Sequence, residues 1–82
     1  MNVVEIDEPI GMLAAFSGGQ VRPVEFNWHR KTYQVDAVNG NWIDRTRQCP
    51  SLHFSVQVGD ETYTIHLATG QAQWWLDQVI TE

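Results

Sequence analysis

The chain has one cysteine, Cys49, in 82 residues. A disulfide framework within the chain is therefore excluded, as are zinc sites built on paired cysteines. No apolar run approaches the ~20 positions that a membrane-spanning helix requires. Basic residues are scarce too, five against ten acids, for a formal net charge of −5. That balance opposes general affinity for nucleic acid or anionic membranes. Glu5, Asp7 and Glu8 stand where a secretory leader would carry basic residues, so the cytoplasm is the expected compartment. Gly18-Gly19 is a lone pair of turn type, not a phosphate loop. Cys49 sits between Gln48 and Pro50 without the local signature of an activated nucleophile. The expected protein is not an enzyme, and no motif implies a cofactor.

What the chain does have is apolar and aromatic surface: 43% hydrophobic residues, with four Trp, three Phe and two Tyr. That excludes a disordered chain, which lacks the apolar area to offset its ordering entropy. The length makes one domain, residues 1–82. Chains this small bury only about 60% of the surface they expose when unfolded, so large rings matter to the core.

Hydrophobicity alternates with period two, the pattern of strands half-buried on one face. Leu52, Phe54, Val56 and Val58 alternate with polar residues, and Tyr63, Ile65 and Leu67 do the same after Gly59-Asp60. A two-residue turn there pairs Val58 with Glu61 and aligns Val56–Tyr63, Phe54–Ile65 and Leu52–Leu67 on one face. A second alternation, Val24, Phe26, Trp28 and then Tyr33, Val35, Ala37, predicts a hairpin turning at Arg30-Lys31 that sets Phe26 opposite Val35. Asn39-Gly40, a strong hairpin signal, predicts a turn that folds Asn41–Asp44 back and puts Trp42 on the apolar face opposite Ala37. Residues 45–51 read as a loop. In residues 71–80, Trp74 and Leu76 share a face and Trp75 points away. Val79 breaks that parity, which predicts a bulge or a change to helix near Asp77.

Residues 1–11 read as a lead-in that can be flexible or loosely packed. Residues 12–16 carry some helix punctuation, but a strand turning at Gly18-Gly19 and setting Phe16 opposite Val21 is the preferred reading. The fold class is thus mainly β: an antiparallel meander of about five or six strands. Its apolar face is too large for one flat sheet, which predicts strong curling into a half-barrel, or pairing with a second copy.

The stretch Pro23, Phe26, Trp28, Lys31, Tyr33, Val35, followed by Val38 and Trp42 and later by Phe54-Ser55-Val56 and Tyr63-Thr64-Ile65, resembles a family of small, functionally uncharacterised bacterial domains. The family's pattern is P-x-x-F-x-W-x-G-[KR]-x-Y-x-[VI], and the resemblance covers roughly residues 12 to 80. This chain departs from it with Arg30 in place of the glycine. The resemblance implies a β-rich fold, found alone or beside DNA-repair polymerase-like proteins, and assigns no activity.

Candidate binding residues are few. The 52–67 register sets His53 opposite His66 on the polar face, with Cβ atoms about 5 Å apart. Two facing imidazoles with a carboxylate from a neighbouring strand make a metal site; two exposed strand residues are the plainer reading, and no metal is the working expectation. All five basic residues, Arg22, Arg30, Lys31, Arg45 and Arg47, lie between positions 22 and 47. Trp75 facing outward marks a contact surface. The expected function is a non-catalytic interaction module, with a protein partner or a homodimer. Single-stranded nucleic acid stacked on Trp75 near Arg45 and Arg47 is the alternative, disfavoured by net charge. Arg30 and Lys31 complete the contact candidates.

Overall fold

The computed structural model describes residues 1–81. Its elements are seven strands: β1 (Asn2–Ser17), β2 (Gln20–Trp28), β3 (Lys31–Gln34), β4 (Ala37–Asp44), β5 (Ser51–Val58), β6 (Glu61–Ala68) and β7 (Gln73–Thr81). They form one antiparallel sheet in the order β3-β2-β1-β7-β6-β5-β4. Among the described residues, no helix is long and apolar enough to cross a membrane.

The sheet is strongly curled, and the chain shows why. β3 and β4 lie at opposite ends of the strand order, yet only Val35 and Asp36 separate them. A residue spans at most ~3.3–3.6 Å of chain, so the two ends of the sheet must meet. The link bonds to both sides: Val35 N–H donates to the Val24 carbonyl in β2 at 2.9 Å, and Asp36 N–H to the Gln57 carbonyl in β5 at 2.8 Å. The Gly59 N–H donates to the Asp36 carboxylate at 2.7 Å.

β1 joins the two halves. Its first part pairs with β7 from Asn2 to Ile10, and its second part pairs with β2 from Gly11 to Ser17. The segment for which the sequence leaves a loose lead-in open is thus a central strand. Register shifts lie between Leu13 and Ala14, Glu5 and Glu8, Val38 and Gly40, and Thr64 and Ile65. Each such bulge bends its strand and tightens the local twist. Pro23 is buried at the first of them, a position where its missing N–H is tolerated.

The β5–β6 register is the one expected, including His53 opposite His66. Gly18-Gly19 turns as expected, with both glycines at positive φ and Phe16 opposite Val21. Two turns differ. The β2–β3 turn is at His29-Arg30, one residue earlier than expected, and pairs Phe26 with Tyr33. Both turn residues have positive φ, 51° and 64°, the geometry of a primed turn that glycine suits best. Asn39-Gly40 does not turn at all. Gly40 pairs with Ser55, and Asn39 is the extra residue of a bulge within β4. A long partner strand, β5, outweighs the local turn preference. This displaces Trp42 from the expected core face to the outer face, where it pairs with His53 and is 49% exposed. The sheet has seven strands where the sequence predicts about five or six.

The core lies inside the curl. Phe26, Val56, Ile65 and Leu76 are fully buried, with Ile10, Phe54, Tyr63, Trp74 and Val79 around them. Phe26 stacks on Tyr33 at 5.0 Å between centroids and meets Tyr63 edge-on at 5.4 Å. Burial, and then the neighbouring Glu61 carboxylate, push the Tyr63 hydroxyl up to about 12.

The turn supports one prediction. A left-handed residue with a Cβ costs ~1–2 kcal/mol, and the extra unfolded freedom of glycine returns about 0.5–1 kcal/mol of that. Arg30→Gly should therefore stabilise the domain by about 0.5–1 kcal/mol, raising the melting midpoint by a few degrees in calorimetry. Arg30→Ala keeps the Cβ and should give no such gain.

Candidate functional site

Two features stand out from the sheet. The first is on its outer face. Trp42 in β4, His53 in β5, His66 in β6 and Trp75 in β7 fall in one row across four strands. Their rings stand nearly parallel, with centroids 5.2 Å apart for Trp42–His53, 4.9 Å for His53–His66 and 6.4 Å for His66–Trp75. Cross-strand neighbours on one face are held at this spacing by the ladder itself.

Asp77 joins the row from one step along β7. Leu76 pairs with Ile65 and Gln78 with Thr64, so Asp77 is the extra residue of the bulge. Leu76 and Val79 are both buried on the inner face, and the bulge is what reconciles their three-residue spacing with a strand. The expected break in parity near Asp77 is thus a bulge, and β7 continues as strand to Thr81. His66 Nδ1 lies 2.8 and 2.9 Å from the two carboxylate oxygens of Asp77. His53 Nδ1 lies 4.0 Å from Asp77 Oδ2. The three side chains are about one-fifth exposed. Burial, and then the adjacent His66, hold His53 below the usual imidazole range, while Asp77 and Asp44 pull the other way. Asp44 is itself lowered, first by the Thr46 backbone N–H and then by the Thr46 hydroxyl, both on Oδ1. A cleft of about 300 Å³ opens beside this row, lined by Asp44, Arg47, Ser51, His53, His66, Ala68, Gln71 and Trp75.

Trp75 points outward as expected, but it is half-buried, its Nε1–H donating to Gln71 Oε1 at 3.3 Å. Within this row the more exposed aromatic ring is Trp42. Arg45 and Arg47 are exposed in the β4–β5 loop, and Arg47 shares the cleft with Trp75. Arg30 and Lys31 lie apart from it at the β2–β3 turn, with the Lys31 ammonium 5.4 Å above the Tyr33 ring. At that end Glu8 accepts from Trp28 Nε1–H at 3.0 Å and faces His29 Nε2 at 2.8 Å. The Trp28 bond, and then that to His29, lower the Glu8 carboxyl.

The second feature is an open seam in the curled wall. β3 covers only the Glu25–Trp28 part of β2, so among the described residues no strand pairs with the outer edge of β2 before Val24. β4 pairs on one side only, with β5. Between these edges lies a cleft of about 290 Å³ lined by Gly19, Gln20, Val21, Asn41, Trp42, Ile43, Leu52, His53 and Phe54. Trp42 and Ile43 are 49% and 46% exposed at its rim.

Sequence reasoning missed Trp42, Ile43 and the role of Asp77. The first two follow from β4 running straight through Asn39-Gly40. For Asp77 the signal was present in the buried-residue spacing of Leu76 and Val79. No family model, curated protein or solved structure matches this chain, so the resemblance of the Pro23–Val35 pattern rests on its own residues.

Proposed function

We propose that this domain is a non-catalytic interaction module that accepts an extended strand at its open seam, and that a second copy of the chain is its first occupant. The observation that carries the reading is the edge of β4 from Gly40 to Asp44, past its bulge, which pairs on one side only. Natural edge strands are blunted by lysine, proline, shortness, bulges or inward charge, and the bulge of β4 lies at its start, at Asn39. β3, at the other end of the sheet, is four residues long and carries Lys31. β4 is eight residues long, has neither lysine nor proline, and sets Trp42 and Ile43 half-exposed beside the cleft. An extended partner would gain main-chain hydrogen bonds along the edge and bury alternate side chains. Two β4 edges related by a two-fold axis satisfy each other reciprocally.

Against the nucleic-acid alternative stand the net charge of −5 and the placement of Asp44 and Asp77 beside Arg47 and Trp75. The test is sedimentation equilibrium from low to several hundred micromolar chain. Wild type should form dimers in a concentration-dependent way, and Ile43→Lys should remain monomeric. Because Ile43 is 46% exposed, that change should move folding stability by no more than about 0.5 kcal/mol. Wild type that stays monomeric over the whole range removes self-association from the reading.

A further inference from the structure

We propose that His53, His66 and Asp77 form a binding site for a divalent transition-metal ion of the zinc type, on the outer face of β5, β6 and β7. One ligand atom from each of the three lies within 4.8 Å of the others. Zinc bonds to imidazole nitrogen and carboxylate oxygen run at about 2.0–2.2 Å, which places tetrahedral ligand atoms ~3.3–3.5 Å apart. The two distances between imidazole Nδ1 and Asp77 oxygen, 2.8 Å for His66 and 4.0 Å for His53, bracket that value. Side-chain shifts of roughly half an ångström bring both to it, and the two imidazole nitrogens, within 4.8 Å of each other, close by at most about 1.4 Å.

The site has the features of a built one. Its residues sit on three adjacent interior strands, so the backbone fixes their spacing. The bulge at Asp77 re-aims a carboxylate at two imidazoles that the register has already opposed. Trp42 and Trp75 close the ends of the row and hold the rings upright. Two nitrogens and one oxygen suit zinc, nickel or copper and do not suit magnesium or calcium, which take all-oxygen shells. Three protein ligands leave a further coordination position, and both imidazoles line the cleft that also holds Arg47. The inference does not rest on strand addition, because none of the three ligands is on an edge strand.

The test uses the full chain, freed of metal, titrated with zinc chloride in a calorimeter and followed by the His53 and His66 ring resonances. Binding should be one-to-one and should shift both rings, with no shift from magnesium. His53→Gln, His66→Gln and Asp77→Asn should each weaken it at least tenfold, while His29→Gln and Cys49→Ser leave it unchanged. If a ligand variant fails to fold by circular dichroism, the ring resonances of the wild type decide. Unmoved resonances and no heat with zinc overturn the proposal, as does binding that survives all three ligand variants or is lost with His29→Gln. A wild-type dimer that ignores zinc would overturn the metal site and leave strand addition standing.

Discussion

Phe26→Ala should lower the unfolding free energy by about 3–5 kcal/mol, the range for emptying a fully buried phenylalanine site. Phe26 is completely buried. Its ring comes from β2 and touches Tyr33 of β3 on one side and Tyr63 of β6 on the other. Tyr33 and Tyr63 also meet each other at 5.6 Å. These three rings hold the β2–β3 hairpin against the rest of the curled sheet, so the cavity would open where the two halves join. At ~0.05–0.15 kcal/mol per residue, a domain of this size has only ~4–12 kcal/mol in total. The loss would therefore consume much of the stability. Urea unfolding followed by tryptophan fluorescence should show a midpoint far below that of wild type with a similar slope. Phe26→Leu, which keeps most of the volume, should cost much less. A loss below about 1 kcal/mol for the alanine variant would mean that the junction does not depend on this ring.

A chain lacking residues 1–10 should not fold cooperatively. In the sequence those residues read as a lead-in that can be flexible or loosely packed, with Glu5, Asp7 and Glu8 among them. In the structure they pair with β7 from Asn2 to Ile10 and bury Ile10 in the core. Without them β7 becomes an edge, with Leu76, Trp74 and Val79 losing cover on that side. The remaining piece of β1, which pairs only with β2, no longer joins the two halves. Burial of Ile10 alone is worth about 1.5–3 kcal/mol, and the main-chain ladder of β1 with β7 goes with it. The truncated chain should show a broad thermal transition and bind a dye that reports exposed apolar surface. A sharp melt within a few degrees of the full chain would show instead that β7 is stable as an edge strand.

The β5–β6 hairpin was legible because two independent signals agree there: alternation in both arms and a Gly-Asp turn between them. One register satisfies both, so His53 and His66 could be placed opposite each other from the chain alone. Asn39-Gly40 shows the limit of a local signal. Its preference for a turn is worth little beside the ladder that Ala37–Asp44 makes with β5 along its whole length. His29-Arg30 shows the same thing in reverse, since a turn forms on two residues with little liking for positive φ because the flanking rings Phe26 and Tyr33 gain by pairing.

The candidate metal site divides along the same line. The opposition of the two imidazoles is a matter of strand parity, which a sequence carries. The arrival of Asp77 needs β7 to lie beside β6 with one residue out of step, and that offset exists only because Leu76 and Val79 must both reach the core. Alternation of side chains therefore determined the strands, the inner face and the facing histidines, since period-two geometry is local. The pairing of β1 with β7, and the meeting of the sheet's two ends through the two-residue link at Val35-Asp36, were decided only in the tertiary structure. Those are contacts between distant segments, and no local pattern encodes them.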